Sequence, residues 1–215
     1  WVGEGSFDLY SESAPQWIYP PIGHVGNGPS GVVRMTGPAV PPELRGKFLM
    51  CNYRGSPTRS SVLTIPIESM GSGFMVGEVT TFLSSLNASD VELGYDGRVF
   101  FVEYGAGWSP DNQGSVQVAE PTNPTFLEAG RKVAQLVKEG FSHRTLSELS
   151  SLLGHSDQRV RQEAQFAIVQ KGSDAAVSLF ARILSNAKVG ELAPLHAVWG
   201  LGQLARSGNE NAKKN

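Results

Sequence analysis

At 215 residues, with 40% hydrophobic and 18% charged side chains, the chain has the composition of an ordinary globular protein that buries a core, not of a disordered or membrane-embedded one. Eighteen Lys and Arg against twenty Asp and Glu leave a formal charge of -2 and an isoelectric point near 6.1, which offers no broad attraction for nucleic acid or anionic lipid. A lone cysteine, Cys51, excludes an internal disulfide, a Cys-rich zinc site and a C-x-x-C-H haem attachment within these residues, and no apolar run approaches the ~20 residues of a membrane span.

The 25 glycines and 13 prolines gather mostly before residue 125, as many short strands joined by tight turns require. Residues 31–36, 47–53 and 60–66 are β-rich runs separated by Gly and Pro turns, and they predict consecutive antiparallel strands. Further strands are predicted over 74–79, 91–93, 98–103 and 115–119. A strand roughly every ten residues, with a turn signal each time, is the pattern of a sandwich, barrel or propeller. Four-stranded propeller blades take ~40–50 residues, so residues 1–120 would supply about two blades, too few to close a ring.

The stretch Ala119-Glu120-Pro121-Thr122-Asn123-Pro124 interrupts this pattern, because proline removes backbone donors and the residue before it avoids helix. After it the period changes. Phe126, Ala129, Val133, Leu136 and Val137 recur at helical spacing, as do Leu146, Leu149, Leu152 and Leu153. Val160, Ala164, Ala167 and Ile168 mark a third helix, Val177, Phe180, Ile183 and Leu184 a fourth, and Leu195, Val198, Leu201 and Leu204 a fifth. Each is short and one-faced, so each must pack against neighbours. The unit Leu146 to Gly172, bent around Gly154-His155-Ser156-Asp157 with Ser156 or Asp157 as the cap, has the size of one HEAT hairpin, and Asp174 to Arg206 repeats the plan.

The expected fold is mixed, all-β then all-α: a partial β-propeller over 1–120, a Pro-rich linker over 121–125 and a HEAT-type α-solenoid over 126–215. Such solenoids need ~3 repeats, so the array is expected to continue. Trp1 in place of Met and the ending Asn211-Ala212-Lys213-Lys214-Asn215 both read as cuts from a longer protein.

The residues also carry a resemblance. Pro21-Ile22-Gly23-His24-Val25-Gly26-Asn27-Gly28-Pro29-Ser30-Gly31, then Leu44-Arg45-Gly46-Lys47-Phe48-Leu49 and Cys51-Asn52-Tyr53-Arg54-Gly55, resemble late blades of the glucose/sorbosone dehydrogenase-like six-bladed propeller. Asp90-Val91-Glu92-Leu93-Gly94-Tyr95-Asp96-Gly97, running into Arg98 to Tyr104, is similar to the strand, Asp-Gly turn and strand of such blades. Leu152-Leu153-Gly154-His155, Asp157 to Gln162 and Leu195 to Leu204 are similar to the HEAT repeats of secreted bacterial proteins that join this propeller to HEAT repeats and a C-terminal cytochrome c domain, the membrane-bound dehydrogenase family. The resemblance implies a periplasmic or secreted, sugar-oxidising dehydrogenase. In it pyrroloquinoline quinone (PQQ), with calcium (Ca2+), lies over the central channel, a histidine serves as general base, and electrons pass to haem c in a domain outside this segment.

On that resemblance Tyr53, Arg54 and Arg59 occupy the strand-loop where the family places a basic cofactor contact; the alternative is ordinary exposed arginines in a turn. Leu86-Asn87-Ala88-Ser89-Asp90 occupies the place where active quinone enzymes of this fold carry arginines, and this sequence has none there. Asn87, Ser89 and Asp90 can instead take a sugar hydroxyl or a cation, with Asp90 as the metal ligand, or they cap a turn. His24, in the Gly-rich loop 23–31, can act as acid or base near neutral pH, or is a hydrogen-bonded structural residue. His143, His155 and His196 fall at no metal-ligand spacing and read as structural.

Three motifs fail on their own terms. Gly28-Pro29-Ser30-Gly31 lacks the Gly that a nucleophile elbow needs two residues after Ser, since position 32 is Val. Asn87-Ala88-Ser89 fits a glycosylation acceptor that matters only in a eukaryotic secretory route, and Cys51 reads as a small packed residue. In the helices Gln158, Arg159, Arg161, Gln162 and Gln165 form a polar face, either solvated or facing a protein partner, while Trp199 beside His196 and Gln203 reads as packing. Two functions stand: the sugar dehydrogenase fragment, inactive alone, and a non-catalytic carbohydrate- or protein-binding propeller with a HEAT docking scaffold.

Overall fold

In the computed structural model, which describes residues 22–105, 113–186 and 190–214, strands come first and helices follow. The strand Phe48-Leu49-Met50-Cys51-Asn52 has almost no exposed side chain, and it is accordingly central in its sheet. Strands β1 (Pro29–Arg34), β2 (Phe48–Asn52) and β3 (Ser61–Ile65) run antiparallel in that order. The chain then leaves the sheet for a separate hairpin of β4 (Ile67–Met70) and β5 (Gly73–Val76), turning at Gly71, whose φ of 59° suits glycine. It returns as β6 (Thr80–Ser84), which completes a four-stranded sheet of order β1-β2-β3-β6.

The predicted strand over 74–79 therefore stops short, its strand part ending with β5 at Val76. Gly77 donates to the Pro66 carbonyl at 3.0 Å, closing the hairpin, and β6 starts beyond it. A three-stranded sheet follows: β7 (Ala88–Leu93), β8 (Val99–Glu103) and β9 (Ser115–Ala119). The expected Asp-Gly turn joins β7 to β8, with Gly97 at φ 85° and the Asp96 carboxylate gripping Arg98 Nε at 2.7 Å. That hydrogen bond and the adjacent charge hold the Asp96 carboxyl below its ordinary value against the opposing effect of burial.

All five predicted helices are present, and the first four start at capping residues. Helix α1 (Pro124–Glu139) begins with proline at its first position, and Asn123 accepts from Thr125 N–H at 2.9 Å, so the Pro-rich joint is also a helix start. Helix α2 (Leu146–Leu152) opens with a reciprocal capping box between Thr145 and Glu148. Asp157 caps α3 (Gln158–Gln170), and Ser173 caps α4 (Asp174–Leu184). Helix α5 (Leu192–Arg206) has no side-chain cap. The apolar stripes meet in one core where Leu149, Leu153, Val160, Ala164, Ile168, Phe180 and Ala197 are fully enclosed. Each large aliphatic or aromatic side chain buried this way contributes roughly 1.5–3 kcal/mol. Gly200 lets α5 lie directly on the Phe180 ring.

Contacts divide the chain into two units, and the division does not fall at residues 121–125. The first unit holds the described residues up to Met35 with Gly46–Glu92 and Phe100–Val118; the second holds Thr36–Arg45, Leu93–Val99 and the chain from Ala119 onward. The reason lies in two residues. Arg159 forks onto Asp157 at 2.8 and 3.1 Å, donates to the Leu93 carbonyl at 2.6 Å, and lies 4.6 Å over the Tyr95 ring. Gly130 of α1 lies directly on the Asp96 carbonyl, where a side chain would not fit. These contacts tie the β7–β8 turn into the helical unit.

Candidate functional site

Within the strand unit, three of the site residues expected from sequence come from one connection, that between β2 and β3. Residues 53–60 fold around Gly55, at φ 75°, into the short turn Pro57–Arg59. The Arg59 guanidinium donates to the Arg54 carbonyl at 2.9 Å and to Ser56 Oγ at 3.2 Å, so it holds its own loop. Ser60 Oγ accepts from Arg54 N–H at 2.8 Å and donates to Asn87 Oδ1 at 2.6 Å. Asn87 Nδ2 donates to the Gly105 carbonyl, and Ser115 Oγ donates to Glu103 Oε2 at 2.9 Å beside it. The Tyr53 ring meets Tyr104 edge-on, with centroids 6.3 Å apart.

The structure thus brings Tyr53, Arg54, Arg59 and Asn87 together, but it engages most of them internally. Asn87 is wholly enclosed, which also closes the Asn87-Ala88-Ser89 acceptor to glycosylation. Ser89 lies on β7 and donates to the Val102 carbonyl at 3.1 Å. Asp90 Oδ1 accepts from Val91 N–H at 2.9 Å, and Gly31 packs against that carboxylate. His24 is exposed, and its glycine-rich surroundings serve the chain itself: the Gly28 carbonyl accepts from Tyr53 N–H at 2.7 Å with no room for a side chain there.

The implied cofactors can be judged on these bonds. Both loop arginines are exposed, and Arg59 keeps donors beyond the Nε and Nη2 groups that hold its own loop. Calcium takes six to eight oxygens, as a rough rule, and Asp90 alone does not supply them. Among the described residues no group of three or more His, Cys, Asp or Glu is placed to hold a metal ion. Asp90 by itself therefore does not make a calcium site among the described residues. Cys51, fully buried on β2, has its thiol pushed up to about 12 by burial and the charge of Asp90.

The helical unit holds a second arrangement that periodicity only half revealed. Arg161 and Gln165, assigned to the polar face of α3, are 7% and 3% exposed. Gln165 Oε1 lies 2.7 Å from His196 Nδ1, and Arg161 Nε donates to His196 Nε2 at 3.2 Å. Those partners fix a neutral imidazole with its proton on Nδ1. Burial, and then the Arg161 charge, hold the His196 pKa below its ordinary value. Gln165 Nε2 reaches across to Gln203 Oε1 at 2.8 Å, and Arg161 Nη1 donates to the His155 carbonyl at 2.6 Å. His196 is thus buried and held from both ring nitrogens.

Trp199 departs from expectation: it is 59% exposed instead of packed, touching His196 by its edge at 5.6 Å. It stands on the wall of a groove of about 590 Å3 between α3 and α5, with Gln162, Phe166, Gln203 and Arg206. The signal in the sequence was the pairing of two rows at helical spacing, Gln158-Gln162-Gln165 and Trp199-Gln203-Arg206. Comparison of the chain with protein-family models, with curated proteins and with solved structures returns no match.

Proposed function

We propose that this chain is a non-catalytic binding module in which the strand unit offers a ligand-binding end around Tyr53 and Arg54, and the helical hairpins serve as a docking scaffold. The observation that carries this reading is that the polar groups suited to chemistry are held in internal hydrogen bonds: Ser60 and Asn87 to each other, Ser89 to a strand carbonyl, and Arg59 to its own loop. Facing solvent at this end are the Arg54 and Arg59 guanidinium groups, Asp90 and His24, and, on the helices, an open groove. On this reading the four-stranded meander and its three-stranded successor are propeller blades, and the helical pairs are HEAT hairpins. A carbohydrate bearing a carboxylate is the small ligand that suits an exposed arginine beside a tyrosine pair.

The second reading, a fragment of a quinone-linked sugar dehydrogenase, is favoured by the convergence of Tyr53, Arg54 and Arg59 on one loop. Titration with PQQ and calcium, a panel of neutral and acidic sugars, and an artificial electron acceptor separates the two. The binding reading expects sugar-dependent shifts in tyrosine-region signals with no acceptor reduction. Turnover that disappears in Arg54→Ala would establish the dehydrogenase instead.

A further inference from the structure

We infer that the groove between α3 and α5 takes an extended peptide segment carrying a carboxylate, read along two parallel rows of side chains. The inference rests on the docking reading of the helical hairpins and names the chemistry of the partner. The two helices run in the same direction here: Arg161 meets His196, and four residues on, Gln165 meets Gln203. Gln158, Gln162 and Gln165 make one row and Trp199, Gln203 and Arg206 the other, each with steps of four and three residues. Seven residues of helix rise about 10 Å, the length of roughly three residues of extended chain.

Each exposed glutamine amide offers a donor and an acceptor, the pair that an extended backbone presents at every residue. The bond from Gln165 to Gln203 and the buried Arg161–His196 pair hold the floor rigid, so the groove is formed before anything binds. Trp199 supplies a large exposed face of the kind that anchors binding surfaces.

Charge selects the partner. None of the residues lining the groove is acidic, and Arg206 has no carboxylate partner among the described residues. Arg161, buried beneath the floor, adds a second positive charge. From residue 119 onward the sequence carries twelve Lys and Arg against nine Asp and Glu, so the helical part is basic within a chain that is acidic as a whole.

The test uses the full chain labelled with nitrogen-15, the Trp199 indole N–H being assigned by its loss in Trp199→Phe. Fluorescein-labelled octapeptides of alternating Glu and Leu, their Gln and Lys counterparts, and a neutral oligosaccharide panel are the probes. The expected result is a shift of the Trp199 signal by the Glu peptide, binding at least ten-fold tighter than the Gln peptide at low salt, and a preference reversed toward Lys in Arg206→Glu. Arg206 and Trp199 are exposed, so both variants keep the fold. Equal binding of Glu and Gln peptides would overturn the acidic partner while leaving the docking scaffold in place. No response to any peptide would overturn both, and a response to oligosaccharide alone would overturn this inference.

Discussion

Helix α5 contains two glycines, two residues apart, that face different surroundings, and alanine at each should change stability in opposite directions. In a helix interior Gly→Ala gains about 1 kcal/mol from backbone entropy and propensity. At Gly202 that gain is kept, because the nearest atom to an added Cβ is Arg206 Nη1 at 3.5 Å, the end of a flexible side chain. At Gly200 the Cβ would come within 2.4 Å of Phe180 Cζ, and Phe180 is 0% exposed with no space to retreat. Overpacking of a closed core costs about 1–3 kcal/mol, which outweighs the helical gain. The two variants should therefore differ by about 2 kcal/mol. In urea, with a slope of about 1–3 kcal/mol per molar, that separates their midpoints on the order of 1 M when ellipticity at the helix band is followed. Equal midpoints, or a stabilised Gly200→Ala, would refute the close packing of α5 on α4.

Other expectations follow from the buried polar groups. His196 has its pKa lowered in the folded state, so the folded form binds its proton less readily than the unfolded chain does. That contribution is complete above the unfolded value near 6.5 and is lost as pH falls below it. The groups facing the ring are Arg161 and Gln165 with the Trp199 edge, and His196→Gln should flatten the stability profile between about pH 7 and 5. Asn87→Ala strands Ser60 and the Gly105 carbonyl and should cost about 2–4 kcal/mol in denaturant unfolding, whereas Ser89→Ala should cost under about 1. The Cys51 thiol should resist a disulfide-exchange reagent at pH 8 in the folded protein and react fully in urea.

What could be read from sequence was whatever is local. The five helices were legible because their apolar residues recur over about two to four turns, and in four of them a cap, Asn123, Thr145, Asp157 or Ser173, stands at the start. The strands of 48–52, 61–65 and 99–103 were legible for the same reason. The β4–β5 hairpin was not, because strand propensity does not say which partner a strand takes, and β6 pairs with β3 across an entire excursion. Burial of Arg161 and Gln165 was equally hidden: periodicity places them on the polar side of α3, and only the arrival of His196 and Gln203 from α5 turns that side inward. Tyr53, Arg54, Arg59 and Asn87 meet around the β2–β3 loop, while Ser89, Asp90 and His24 do not, and no pattern could show that Ser60 and Asn87 would satisfy each other.

The Arg159 node has a consequence for how the helical unit comes to exist. Its bond to the Leu93 carbonyl joins residues 66 positions apart, and Asp157, which orients the guanidinium, also packs against Gly37. During synthesis those two early segments emerge long before the helices that will receive them. They cannot make these contacts until α3 has formed, so building this unit includes a long-range closure beside the local growth of helices. A truncated chain begun at residue 120 would carry every helix yet leave Arg159 and Gly130 facing water, and trimming a gene at its most obvious joint would divide a cooperative structure.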